Sequence, residues 1–155
     1  MRQRCRGFTL LELMVVMVLI GVLLGMVGLV GGTNPAQVAR QEASRLARLI
    51  EQFRERAVLE GREFGVGFSL EGYRVLQLGE KGWQPLLPLQ AWPPELQPRL
   101  TVEGLPVRLA NSAQLPQLLI LSSDEISAFT MFLVTRERVW ANLSSDGLSE
   151  ISLDE

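Results

Sequence analysis

Glu12 is the residue whose type and position most need a chemical explanation. It is the only charged residue between Gly7 and Thr33, and Leu13 to Val30 is a run of 18 residues with no charged or strongly polar member. A carboxylate at the centre of a bilayer costs about 2.5–3.5 kcal/mol, and less near the interface. Two chemistries accommodate it. Glu12 can snorkel to the headgroups, or it can pair with a cation inside an assembly of helices. The obvious cation is a free α-amine made by cutting the chain after Gly7. Catalytic chemistry has little to work with elsewhere. The chain has no His and one Cys, Cys5, so the commonest general base, an internal disulfide and any multi-Cys metal site are absent. Ser122, Ser123 and Asp124 form a potential nucleophile cluster, but no base and no Ser-x-x-Lys spacing accompanies them. The acids Asp146, Glu150, Asp154 and Glu155 do not make a loop of oxygen ligands for calcium. No enzyme activity, metal or cofactor is expected.

The segment that must position Glu12 is long and apolar. A spanning helix needs about 20 residues, and counting back from Leu13 to Phe8 reaches that length. Arg2, Arg4 and Arg6 precede the run, with no Lys or Arg between Gly7 and Thr33. The positive-inside rule then keeps the N-terminus cytoplasmic and carries everything after Val30 across the membrane. A cleaved secretory signal should have a shorter apolar core and a small-x-small cleavage site; this run ends in Gly31-Gly32-Thr33-Asn34 instead. Gly21 and Gly25 stand at the spacing that lets helices approach closely, and Gly28 extends the series.

Arg6-Gly7-Phe8-Thr9-Leu10-Leu11-Glu12 resembles the class III signal of type IV pilins and type II secretion pseudopilins. The resemblance implies that a prepilin peptidase cuts between Gly7 and Phe8 on the cytoplasmic side and methylates the new Phe8 amine. It also implies that Glu12 meets that amine, in its own chain or on a neighbour, as helices stack into a filament. Such a pairing offsets a charge that lipid cannot solvate.

Beyond the apolar run the composition changes. Asn34-Pro35 interrupts the helix, and Pro35 suits a first helical position. Ala39, Ala43, Leu46, Ile50, Phe53 and Ala57 recur at spacings of 3 and 4, which predicts an amphipathic helix from Ala36 to about Leu59, stopped by Gly61. Arg40, Arg45, Arg48, Glu51, Glu55 and Arg56 fall largely on its other faces. Short β candidates follow at Phe64–Leu70, Tyr73–Leu78, Trp83–Leu87, Leu100–Val102, Val107–Leu109, Leu118–Ser122, Phe129–Thr135, Val139–Leu143 and Leu148–Ser152. Turn residues separate them, among them Glu103-Gly104, Arg136-Glu137 and a hairpin signal at Asp146-Gly147. The prolines of residues 85–98 predict loop there. The expected fold is α+β and pilin-like, with a long N-terminal helix packed on antiparallel sheet. Its divisions are a leader at 1–7, a membrane and filament-core helix at 8–32, an amphipathic stalk at 33–62 and a β-rich periplasmic domain at 63–155.

Leu118-Leu119-Ile120-Leu121-Ser122-Ser123-Asp124-Glu125-Ile126-Ser127-Ala128-Phe129 resembles the Ser-Ser-Gly-Glu-x-x-x-Phe segment of the H-type minor pseudopilins (GspH/XcpU family), with Asp124 where that family carries Gly. What this implies is a minor pseudopilin, a structural subunit of the periplasmic pseudopilus of a type II secretion system, held in the inner membrane by a single pass. Its implied partners are the prepilin peptidase, other major and minor pseudopilins and the inner-membrane assembly platform, with secreted exoproteins and the secretin as further contacts. The alternative is a type IV pilus minor pilin of the FimT type, which shares the domain and takes up DNA. After Thr33 the chain has 12 Lys or Arg against 16 Asp or Glu, which disfavours DNA, although Arg40, Arg45 and Arg48 could form a local patch. Trp83, Trp92 and Trp140 suit either a core or an interface.

Overall fold

Asn34 starts the second helix by accepting the Ala36 amide on its side-chain oxygen at 3.1 Å, with Pro35 at the first helical position. A computed structural model of the chain describes residues 10–28, 34–136 and 138–154. The chain divides into two units, Met1–Thr33 and Asn34–Glu155. The first contributes α1 (Leu10–Gly28). The second holds α2 (Pro35–Glu60), which ends at Gly61 in the left-handed conformation, and, among the described residues, ten strands.

Those strands are β1 (Phe64–Phe68), β2 (Gly72–Gly79), β3 (Gly82–Pro85), β4 (Gln90–Ala91), β5 (Gln97–Val102), β6 (Leu105–Val107), β7 (Leu118–Ile120), β8 (Phe129–Thr135), β9 (Arg138–Ser145) and β10 (Ser152–Asp154). One sheet runs β3-β2-β1-β7, with β4 also on β2. The other runs β10-β9-β8-β5-β6. Every strand pair in them is antiparallel.

The stripe along α2 packs on both sheets. Ala39, Ala43, Leu46, Ile50, Phe53 and Ala57 are all buried, against Phe64, Val66, Phe68, Leu118, Met131, Leu133 and Leu143. Burying each of the larger side chains contributes about 1.5–3 kcal/mol, so α2 owes its stability to this face more than to helix propensity. Strand β1 is buried on both sides. Its Phe and Val residues belong to the core under α2. Its Gly65 and Gly67 lie under residues 113–117, where an added Cβ would come within 2.5 Å of Pro116 Cβ and 2.9 Å of Leu76 Cδ1. Gln117 straps the segment down, its side chain accepting the Phe68 amide at 2.6 Å and its own amide reaching Val66 O.

Four strand expectations need correction. Glu103 and Gly104 both have positive φ, so a two-residue turn pairs Val102 directly with Leu105. This shifts β6 to Leu105–Val107 instead of Val107–Leu109. Residues 85–98 are not all loop: they contain β4 and the start of β5. Pro98 is tolerated because β5 pairs there with Leu133 of β8 on one side only, its contact with β6 beginning at Leu100. Strand β7 stops at Ile120, before the turn that holds Ser122. Finally, Asp146-Gly147 does not close a tight hairpin, and Leu148–Ile151 is not strand. β9 ends at Ser145 and β10 begins at Ser152, because side chains capture the backbone between them, as the next section describes.

Candidate functional site

Gly7 and Phe8 lie outside the described residues, as do the leader arginines, Cys5, Glu137 and Glu155. Glu12 sits in the first turn of α1, where the helix dipole favours an acid. Around it, Leu10, Leu11, Leu13, Met14, Val15, Val16, Met17, Val18 and Leu19 are all exposed, so this helix is apolar on every side. A helix of that kind is buried in lipid or in other protein. Gly21 has open space where a Cβ would stand, and Gly25 and Gly28 close the same helix. Among the described residues no helix is long and apolar enough to cross a membrane. The 19 residues of α1 rise about 28 Å at about 1.5 Å each, just under a hydrocarbon core of about 30 Å.

The Ser122–Glu125 segment is a clamp. Ser122 gives its amide and its hydroxyl to the two oxygens of Glu63, at 3.1 and 2.8 Å. That hydroxyl is therefore engaged in holding the end of β7 to the start of β1. Asp124 adopts φ 72, a conformation open to Gly and tolerated by Asp. Asp in this position brings a carboxylate that Gly would lack, and it accepts from Arg54 Nε at 2.8 Å.

Arg54 is 7% exposed and was not among the residues singled out from sequence. Its fork reaches three loop residues: Nε also donates to Asp124 O at 3.0 Å, Nη1 to Ser149 O at 3.1 Å and Nη2 to Leu148 O at 2.7 Å. A buried guanidinium persists only when so paired. The signal available in sequence was its place: Arg54 is four residues after Ile50 and next to Phe53, at the margin of the apolar stripe.

The same loop is organised from its other end by Asp146. Its Oδ1 accepts the amides of Ser149 and Leu148 at 2.8 and 3.0 Å, and Oδ2 accepts the Ser149 hydroxyl at 3.0 Å. These bonds, first from the Ser149 amide and then from Leu148, hold the carboxyl below its ordinary range. Gly147 lets the loop touch the clamp, since an added Cβ would lie 2.6 Å from Ile126 O. Amides on Asp146 and carbonyls on Arg54 leave Leu148 and Ser149 nothing to offer a strand partner.

A second polar group is buried between α2 and β2. Tyr73 Oη donates to Glu42 Oε1 at 2.7 Å, and the Tyr73 ring lies 4.8 Å from that of Trp92. Trp92 is core, its Nε1 donating to Ser69 O at 2.9 Å. Burial, and after it the bond to Glu42, push the Tyr73 phenol above its ordinary value. A raised phenol pKa stabilises the fold fully below the unfolded value of about 10 and loses that contribution as pH rises beyond it. Tyr73 is the only Tyr, so the ultraviolet absorbance of tyrosinate reports it alone. On alkaline titration, that signal is expected to appear together with loss of the native Trp fluorescence, and in urea-unfolded chain to appear at about pH 10. A tyrosinate signal at pH 10 in folded protein would contradict the buried bond.

The remaining candidates are dispersed. Trp83 is half-buried in β3. Trp140 is half-buried in β9, bonded to the Thr135 hydroxyl, with Arg138 4.2 Å above its ring. Arg40, Arg45 and Arg48 are exposed along α2, and Glu150 and Asp154 are exposed near the C-terminus. Among the described residues no three His, Cys, Asp or Glu side chains are grouped to hold a metal.

The prokaryotic N-terminal methylation motif matches residues 2–28. Type II secretion system protein H of Pseudomonas aeruginosa is 40% identical over 157 residues, which cover 92% of this chain and 91% of that one. The chain belongs to the type II secretion system protein H family. The protein H of Escherichia coli is 31% identical over 140 residues, 83% of this chain and 80% of its own. The structure of the minor pseudopilin EpsH of the Vibrio cholerae type 2 secretion system has the same fold, with a TM-score of 0.64 at 24% identity over 75% of this chain and 94% of that one. Membership of the protein H family bears out the expectation of a type II secretion minor pseudopilin. The α+β fold expected of a pilin-like subunit is the fold observed, with α2 as the helix packed on antiparallel sheets.

Proposed function

We propose that this chain is a membrane-held filament subunit that performs no chemistry itself and acts mechanically. The leader, residues 1–7, is removed between Gly7 and Phe8 by a prepilin peptidase, and the Phe8 amine is methylated. Residues 8–32 anchor the subunit by a single pass in the inner membrane, N-terminus cytoplasmic, with the stalk (33–62) and the β-rich domain (63–155) periplasmic. On assembly Glu12 meets the Phe8 amine of a neighbour, and Gly21, Gly25 and Gly28 let the helices approach closely. The partners are other major and minor pseudopilins and the inner-membrane platform, with exoprotein and secretin at the exposed end.

One observation carries this reading. The methylation motif spans residues 2–28, and within it the only acid of the apolar run stands four residues after Phe8. The clamp and the Tyr73–Glu42 pair, by contrast, hold α2 to the sheets and ask for no substrate. Intact mass of the chain from its own host, with and without the prepilin peptidase, tests the proposal. The expected chain starts at methylated Phe8 only when the peptidase is present. A chain that keeps Met1, or is cut near Thr33, would overturn it.

A further inference from the structure

Asp146-Gly147 is a step whose own chemistry can alter the chain. An aspartyl carboxyl followed by glycine is open to attack by the next amide nitrogen, because glycine has no side chain to block the approach. The Gly147 nitrogen gives up its proton to solvent, bonds to Asp146 Cγ and expels water, which leaves a five-membered succinimide. Water then adds back at one of the two ring carbonyls. Opening at the main-chain carbonyl breaks the original peptide link and routes the backbone through the side chain, as isoaspartate, with no net change in mass. The other two aspartates, Asp124 and Asp154, each precede Glu and lack this open approach. The folded loop opposes every part of the step. Gly147 is buried, and its amide, the nucleophile, donates to Ser145 Oγ at 3.1 Å. Its carbonyl accepts the Ile126 amide at 2.9 Å, and its φ is 94, so the residue is held at both ends. Asp146, the electrophile, has both oxygens engaged by Leu148 and Ser149. Those bonds favour the carboxylate, the form that an amide does not attack. Arg54 holds the carbonyls of the same two residues.

We propose that Asp146-Gly147 is a latent isomerisation site gated by the Arg54 clamp: the closed loop keeps Asp146 as aspartate, and the opened loop converts it to isoaspartate and cannot close again as before. The product has one more carbon in its backbone, and its carboxylate is attached directly to Cα. It can no longer receive the Leu148 and Ser149 amides in the present geometry, and the carbonyls that Arg54 binds lose their fixed position. A transient local opening is thereby written into covalent structure, so a subunit that has opened is marked apart from one that has stayed closed. None of this depends on cleavage at Gly7 or on the pairing of Glu12 with Phe8.

The test incubates the full chain in non-ionic detergent at mildly alkaline pH and reads isoaspartate at position 146 by electron-transfer fragmentation of the peptide that contains it. The same chain held open in guanidinium chloride is the reference. The folded chain is expected to isomerise about tenfold or more slowly than the unfolded one, the ratio being set by the opening equilibrium of the loop. Ser145→Ala frees the Gly147 amide and Arg54→Ala frees the loop, and each should raise the folded rate severalfold. Phe68→Leu, which loosens the core beside Trp92, should leave it unchanged. Trp fluorescence verifies that each variant is folded, and Ser145→Ala, which keeps every Arg54 bond, carries the test if Arg54→Ala is not. Purified isoaspartate chain should melt below the unmodified chain. Equal rates in folded and unfolded chain, no isoaspartate in the unfolded chain, or a folded Ser145→Ala as slow as wild type would overturn the proposal. So would equal acceleration by Phe68→Leu, which would assign the protection to the whole fold, or an unchanged thermal midpoint of the isomerised chain.

Discussion

Arg54→Ala is expected to destabilise the Asn34–Glu155 unit by about 3 kcal/mol, measured by urea unfolding of the full chain in detergent. The figure follows from what the substitution strands. Three carbonyls, of Asp124, Leu148 and Ser149, lose their donor; an under-satisfied group costs about 1–3 kcal/mol, and because these residues are exposed water replaces part of each bond, which puts the sum near the cost of one fully buried group. Asp124 loses its ion pair as well, but its side chain is 63% exposed and water compensates most of that loss. Arg54→Lys keeps the charge and at most part of the fork, so it should recover less than half of the stability. Asp124→Gly tests the other side. It removes one acceptor and relieves the positive φ at once, and should be nearly neutral. An Arg54→Ala variant within about 0.5 kcal/mol of wild type would show that the clamp is ornamental.

Glu12→Leu should separate membrane insertion from assembly. On the reading proposed above, losing the carboxylate makes the apolar segment cheaper to insert, by up to about 3 kcal/mol, so the membrane pool of the chain should not fall. Incorporation into pseudopili should fall about tenfold or more, because the neighbour's Phe8 amine is left without its counter-ion in a medium that solvates charge poorly. Quantitative mass spectrometry of purified pseudopili, normalised to the membrane pool, reads both quantities. Glu12→Gln keeps the size and loses the charge, and should resemble Glu12→Leu. Normal incorporation of either variant would remove the ion pair from the mechanism while leaving the cleavage at Gly7 untouched.

Local rules made much of this fold legible. Asn34-Pro35 and Gly61 bound α2 as capping chemistry requires, and its six-residue stripe is the buried one. Phe129–Thr135 is strand as read. The misreadings have a common cause. Leu148–Ile151 follows a turn signal and ends on apolar residues, yet Arg54 and Asp146 hold the Leu148 and Ser149 backbone away from any ladder. Gln90–Ala91 has no strand signal, yet pairs with Gly72 and Tyr73. In each case a partner distant in sequence decides, and periodicity carries no information about it.

The distances along the chain that Arg54 bridges bear on how quickly the domain lets go. Its bonds join residues 70, 94 and 95 positions apart, and contacts of such long range are expected to form late, because closing the intervening chain costs entropy before they repay it. An interaction absent from the folding transition state acts almost entirely on the rate of unfolding. The clamp is thus expected to act as a brake on opening: Arg54→Ala should speed unfolding in a urea jump and leave the refolding rate nearly unchanged, and a slowed refolding limb would place these contacts in the transition state instead.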